Sequence, residues 1–333
     1  MKIFITGIAG FLGSHLAKHL IDLGHDVSGN DNMIGGDLEN ISKKITFYKE
    51  DCTDLKKMTE LTKNIDVVYH CAATAHEGLS VFSPYEIGKN NFLASVSIFS
   101  AAMTHKVKRI IFCSSMARYG SQNTPFNESM EPKPVDPYGI SKVAAEAVLK
   151  NLCELNNIEW VIAVPHNIIG PRQKYDDPFR NVVSIMLNRM LQNLPPIIYG
   201  DGEQKRCFSY IDDCLSCLIP MLDQKDLNKQ IINIGPDEEF VTINKVAEIC
   251  ANITGVNLNP IHKKDRPREV KHATCSADKA RKILNYKTKT DLTTGITKTF
   301  DYIKKRGPKP FNYHINIEIQ NELTPETWLK KEI

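Results

Sequence analysis

No apolar run in this 333-residue chain approaches the ~18 residues that a membrane-spanning helix needs. Net charge is nearly absent too. Forty-two Lys and Arg stand against 39 Asp and Glu, leaving +3, so the charge calls for neither nucleic acid nor an acidic membrane as partner. There is no internal repeat of roughly 20–50 residues and no low-complexity stretch, which sets aside solenoids and fibrous assemblies. The opening residues, Met1–Gly7, lack the apolar core and cleavage site of a signal peptide and read as a strand that starts at once; a cytoplasmic protein is expected. On that expectation the nine cysteines are reduced thiols rather than a disulfide framework. Cys71, Cys113 and Cys250 sit in apolar runs, where a thiol behaves as a small hydrophobe. Cys214 and Cys217 form a lone C-x-x-C with no second ligand pair and no thioredoxin-like surroundings, so a structural role and no metal is expected.

What is present is an ordinary globular composition, 42% hydrophobic and 24% charged, in a length that suits about two domains. Short β-rich runs (Lys2–Thr6, His25–Asn30, Ile45–Glu50, Asp66–His70, Arg109–Ser114, Glu159–Val164) alternate with helix-length segments (Phe11–Leu23, Leu55–Lys63, Tyr85–His105, Tyr138–Asn156). That rhythm predicts an α/β fold, a Rossmann-type doubly wound parallel sheet covered on both faces. After Pro165, breaks at Gly170-Pro171, Pro195-Pro196 and Gly200-Asp201-Gly202 shorten the pieces, and late helices follow at Asp278–Leu284 and Leu292–Lys305. We therefore divide the chain into a nucleotide-binding domain over 1–165, to which 207–235 returns, a smaller substrate-binding lobe over 166–306, and an extension over 307–333. The alternating run His314–Ile319 in that extension reads as an added strand without an evident partner.

Gly7-Ile8-Ala9-Gly10-Phe11-Leu12-Gly13 follows the first strand and opens the first helix. A glycine-rich turn there lets backbone N–H groups approach a pyrophosphate at a helix N-terminus, so a dinucleotide is expected. Asp31 ends the second strand, where a carboxylate accepts from both adenosine ribose hydroxyls and repels a 2′-phosphate, which favours NAD over NADP. Tyr138 and Lys142 stand four apart at a helix start and share one face. A tyrosine at its ordinary pKa of ~10 is a poor base at neutral pH, and a nearby ammonium would lower it for proton exchange with an alcohol. Cys113-Ser114-Ser115 ends the fifth strand, on the side of the sheet where ligands bind. Ser115 is placed to meet a substrate oxygen. Ser114 is its rival, because neighbouring strand residues point to opposite faces.

In this order and context, these residues resemble the extended short-chain dehydrogenases/reductases, and more narrowly their nucleotide-sugar epimerase/dehydratase group with its UDP-glucose/UDP-galactose 4-epimerases. The resemblance covers roughly residues 1–306. It implies a cofactor site of Gly7, Gly10, Phe11, Leu12, Gly13, Asp31, Asn32, Asp51 (against adenine), Cys52, Cys71, Ala72, Ala73, Asn90, Ser114, Tyr138, Lys142 and Pro165 (by the nicotinamide), and Asn91 as the helix asparagine that supports the active site. It implies Ser115, Tyr138 and Lys142 as the catalytic set. For the sugar nucleotide it implies Thr74, His76, Ser115, Met116, Tyr138, His166, Asn167, Asn181, Val182, Ile198, Tyr199 (stacked on uracil), Arg206, Arg266 and Glu269, since two arginines suit a pyrophosphate and an aromatic face suits a base. The activity implied is an NAD-dependent UDP-hexose 4-epimerisation through a transient 4-keto sugar. A uronate epimerase or decarboxylase, an epimerase at another carbon, or a reductase is the alternative, and a non-catalytic nucleotide sensor of the same fold is the non-enzymatic one.

The departures matter. Met116 and Ala117 stand where the group's dehydratases carry Asp-Glu and its decarboxylases a Glu, which disfavours both reactions. Arg118 replaces a small apolar residue, either as a salt bridge on the outer face or as the mark of an unusual substrate. Cys207 replaces an aspartate after Arg206. His76 and Glu77 either line the sugar pocket or cap the next turn, and Lys174 or Arg118 would be the first suspects for a sugar carboxylate. The expected partners are the nucleotide-sugar and a second copy of the chain, as a homodimer through Tyr85–His105 and Tyr138–Asn156. The small residues Ala94, Val96, Ile98, Ala101, Ala144, Ala145 and Ala147 serve that contact or cover the sheet.

Overall fold

The computed structural model describes residues 1–333. Six strands lie at or near the apolar runs: β1 (Lys2–Thr6), β2 (Asp26–Asn30), β3 (Thr46–Tyr48), β4 (Val67–His70), β5 (Arg109–Cys113) and β6 (Glu159–Pro165). With Gln230–Ile234 they form one seven-stranded sheet in the order Gln230–Ile234, β6, β5, β4, β1, β2, β3, every pairing parallel. The order reverses between β1 and β4, the place where an open parallel sheet leaves a crevice at its carboxyl edge.

Alternate residues of each strand feed two apolar layers. Ile3, Ile5, Tyr69, Ile111 and Val161 pack under α1 (Phe11–Asp22) and the helix Ile211–Leu218. Phe4, Val68, Ile110, Phe112 and Ile162 pack under α2 (Leu55–Leu61), the stretch Ala94–Thr104 and the long helix Pro137–Asn156. Cys214 and Cys217 are buried in the first layer, and all nine cysteines are free thiols. Ala94, Ile98, Ala101 and Ala145 belong to the second layer, so they cover the sheet; Ala147 is exposed.

Phe208–Leu222 does not itself rejoin the sheet. Ser209–Tyr210 pairs with Ile168–Ile169, and the following helix packs on α1's side. The smaller lobe is built on the helices Val182–Leu191, Ile243–Thr254 and Leu292–Arg306, whose apolar faces share a third core.

Two expectations need correction. Tyr85–His105 is not one regular helix: Pro84–Gly88 runs into a π-helical turn at Lys89–Leu93 before Ala94–Thr104. Such turns shift the side-chain register, and this one carries Asn90 and Asn91. His314–Ile319 forms no strand. Its alternation arises because Ile315 and Ile317 enter a small apolar cluster with Phe82, Phe179 and Trp328.

Candidate active site

Two cavities meet at the carboxyl edge of the sheet. The first is lined by Gly7, Gly10, Phe11, Leu12, Gly13, Asp31, Asn32, Asp51, Cys52, Cys71, Ala72, Ala73 and Asn90, all assigned to a cofactor, together with Thr74, His76, Arg180 and His314. The second, about 350 Å³, is lined among others by Ser114, Ser115, Tyr138, Lys142, Pro165, Asn167, Asn181, Val182, Ile198, Tyr199, Arg206, Arg266 and Glu269. Phe11, Leu12, Cys71, Ala73 and Arg180 belong to both walls, so the two spaces form one elongated cleft.

The glycine turn is required by space. Gly7 has φ +68°, and a Cβ on it would stand 2.9 Å from Ala72 Cα; one on Gly13 would stand 2.3 Å from Gly7 O. Side chains at either place would fill the cradle and lift α1 away from β1. The first turn of α1 has no side-chain cap and no acid, so its N–H groups and dipole are left for an anion. Asp31 is fixed by N–H donors from Ala9 (3.1 Å) and Met33 (2.8 Å). Asn32 Nδ2 donates to Asp51 Oδ2 at 2.8 Å, and Thr53 N–H and O–H hold the other oxygen. An elongated cleft with a glycine cradle, two acids beside one end and a Tyr–Lys pair beside the other fits a dinucleotide.

Asn91 closes the loop after β4 by accepting from Thr74 N–H (2.8 Å) and donating to Thr74 O (3.1 Å). The π turn brings this amide inward while Asn90 lines the cavity. Thr74 is thereby held in the cofactor wall rather than the second cavity.

Lys142 is buried and donates from Nζ to Cys113 O at 2.9 Å, and burial pushes its ammonium down to about 8. Burial pushes the Tyr138 phenol up to about 12, against the Ser115 hydroxyl and the Arg180 charge, which both favour the phenolate. Arg180 is thus a further cation that favours the Tyr138 phenolate, a residue that sits in no motif and that sequence reading missed, while one Nζ donor of Lys142 is held by main chain. Ser115 Oγ accepts from Ala117 N–H (3.2 Å), which leaves its proton free to donate. Ser114 Oγ is instead committed to Glu146, which also takes a bidentate fork from Arg118 at 3.0 Å on each arm. Arg118 and Glu146 are 2% and 1% exposed. Arg118 is thus a buried ion pair beneath the serines, neither on the outer face nor in the cavity.

Several expected substrate contacts are not in the second cavity. Met116 is in the sheet core. His166 is buried and turned under the neighbouring loop, where Nε2 meets Pro236 O at 3.0 Å. Lys174 is paired with Asp176 at 3.1 Å. His76 lines the first cavity and bonds Asp177 at 2.8 Å, with His314 Nε2 3.7 Å from the same carboxylate oxygen. These three side chains, far apart in sequence, have ligand atoms within 4.8 Å of one another and could hold a divalent cation; here His76 and Asp177 satisfy each other.

The second cavity's walls are more self-engaged than its residue types suggest. Asn167 donates to Cys207 O, and Asn181 caps the helix Val182–Leu191 at Val183 N–H while donating to Ile168 O. Both amides shape the wall, and Asn181 presents the helix N-terminus to the cavity. Arg266 forks onto Glu269 at 3.1 and 2.9 Å and lies 4.8 Å over the ring of Tyr199, leaving the tyrosine one face for a base. Arg206 Nη2 is 3.9 Å from the same acid. Cys207, at the departure after Arg206, is buried against Thr274 Oγ1 at 3.1 Å. Glu77 is exposed to this cavity. Desolvation within the cleft pushes its carboxyl up to about 7, with Asp136 adding to the shift and Arg206 and Arg266 opposing it.

Residues 3–235 match the model of the NAD-dependent epimerase/dehydratase family. The chain is 34% identical over 310 residues to a putative UDP-glucose 4-epimerase of Methanocaldococcus jannaschii, covering 92% of this chain and 99% of that one. It is similar in structure to the UDP-glucose 4-epimerase of Thermotoga maritima solved with UDP-glucose (TM-score 0.86, 30% identity, 92% of this chain and 99% of that one). It is equally similar to the UDP-glucuronic acid 4-epimerase of Bacillus cereus solved with UDP-glucuronic acid and NAD (TM-score 0.86, 29% identity, 92% and 100%). Both solved proteins are used over nearly their whole length, and part of this chain has no counterpart in them.

Proposed function

The chain belongs to the NAD-dependent epimerase/dehydratase family, and we propose that within it this protein is a UDP-hexose 4-epimerase that keeps its NAD bound. One observation carries the reading. The cofactor cradle opens directly onto a cavity that holds Ser115 and Tyr138 beside a neighbouring arginine pair, with no acid–base pair at Met116-Ala117 for elimination. Bound NAD supplies a hydride acceptor and donor at C4 of the sugar. Tyr138 exchanges the proton of the 4-hydroxyl, assisted by Arg180. Ser115 donates a hydrogen bond to the same oxygen and holds its charge. Lys142, anchored on Cys113 O, supports the positive field at the floor of the site. The helix N-terminus at Val182 and the arginines Arg206 and Arg266 suit the diphosphate, with Arg266 exchanging Glu269 for phosphate oxygens. Asp31 favours NAD over its 2′-phosphorylated form.

Glu77 supports a neutral hexose over a uronate, because a carboxylate facing the sugar repels another. Two relatives' sugars separate the readings. UDP-glucose is expected to be converted to UDP-galactose without added NAD, and faster than UDP-glucuronate is epimerised. The discrimination should grow as pH rises through about 7, where Glu77 ionises. Glu77→Gln should raise the relative kcat/KM for the uronate about tenfold. A wild-type preference for the uronate at pH 8 would overturn the neutral-sugar assignment. The expected partner is a second copy: Tyr85, Phe92 and Leu93 on one helical stretch, and Ile140 and Leu155 on the other, are exposed apolar side chains that a dimer would cover. The site of action we infer is the cytoplasm.

A further inference from the structure

The residues beyond Gly307 belong to neither core, yet they are tied to both lobes. On the larger lobe, the Glu318 carboxylate accepts from Tyr85 and Glu86 N–H, both at 2.9 Å, and Glu318 and Ile319 N–H donate to Phe82 O. On the smaller lobe, Lys309 and Asn188 exchange two hydrogen bonds of 2.8 and 3.0 Å, and Arg189 donates to Glu332 O. Between these anchors Trp328 packs edge-on against Phe82 and Phe179, with ring centroids 6.0 and 5.3 Å apart.

The segment also reaches the cleft itself. His314 lines the first cavity and stands over Asp177; Ile333 lines the second. Thr327 Oγ1 meets the Tyr199 hydroxyl at 2.6 Å, and Trp328 lies edge-on to the Tyr199 ring at 6.4 Å. With Arg266 over one face, Tyr199 is held in a single orientation by residues of this segment. A ring fixed in this way presents its remaining face to a flat partner without losing rotamer freedom on binding.

We propose that residues 311–333 complete the nucleotide end of the cleft: they lock Tyr199 and close the wall beside it with Ile333, so that a pyrimidine nucleoside diphosphate is bound partly by a segment outside the two lobes. This rests on the nucleotide-sugar reading above, and UDP alone, with no sugar chemistry, separates the two. UDP is titrated calorimetrically into the NAD-containing full chain, into a chain ending at Pro310, and into Thr327→Val and Ile333→Ala. The Kd for UDP is expected to rise about tenfold or more in the shortened chain and about threefold in each point variant, with NAD content unchanged in the two point variants. A Kd within twofold of the full chain in both point variants overturns the proposal, whether or not the shortened chain folds. If the full chain ignores UDP but binds another nucleoside diphosphate, the nucleotide assignment falls and the same variants titrated with that nucleotide decide the segment's role. Binding of no nucleoside diphosphate overturns both.

Discussion

Tyr138→Phe lowers turnover by about 10²–10⁴-fold, the range that a positioned acid–base group supplies. The substitution removes one oxygen from a ring that is 7% exposed, so the fold and the cavity walls remain. NAD content and UDP affinity are expected to stay within about twofold of wild type, which places the loss in kcat rather than KM. The environment explains why so much rests on this oxygen. Burial raises its pKa to about 12, and the groups that bring it back are Ser115 and Arg180. Arg180→Met should therefore also slow the reaction and move its pH dependence to higher pH, because the phenolate then forms with less help. Near-normal turnover of Tyr138→Phe would show that another group moves the proton.

Arg118→Met destabilises the protein by about 3–5 kcal/mol, because it leaves Glu146 as an uncompensated charge in the interior. Arg118 and Glu146 are 2% and 1% exposed and joined by two hydrogen bonds of 3.0 Å, so water cannot replace the lost partner. The urea midpoint at fixed pH reports the change. The double variant Arg118→Met/Glu146→Leu separates a buried charge from lost packing: it should recover most of the loss, since apolar groups of similar volume replace a buried ion pair at little cost. A single-variant loss below about 1 kcal/mol would contradict the account of this pair. Because Glu146 also holds the Ser114 hydroxyl, the single variant should reduce activity as well, through the backbone next to Ser115.

The sheet was legible because a strand buried on both faces must be apolar throughout, as Phe4-Ile5 and Ile110-Ile111-Phe112 are. The cofactor wall was legible for a similar reason: glycine is demanded where a Cβ would strike Ala72 or Gly7 O, and that demand is local in sequence. What was not legible depended on distant partners. His76 reads equally well as a ligand or a cap until Asp177 and His314 arrive from two other segments. Arg180 carries no motif, and only the fold sets it beside Tyr138. Arg118 stood out as a departure, but its partner Glu146 lies one helix away with nothing in the spacing to announce it. The run His314–Ile319 misled because alternate burial against Phe82 and Phe179 gives the same period as a strand, without a ladder. The π turn at Lys89–Leu93 left no mark on the apolar pattern; the amide of Asn91 reaching Thr74 marks its position.

The central claim is that C4 of the sugar is oxidised and re-reduced with the same hydrogen inside a closed site. Conversion of UDP-glucose to UDP-galactose in D₂O, followed by NMR without added NAD, tests it directly. The account predicts that the product keeps its original hydrogen at C4 and carries no deuterium at C3, C4 or C5. Deuterium at C3 or C5 would mean enolisation of the ring and would contradict it.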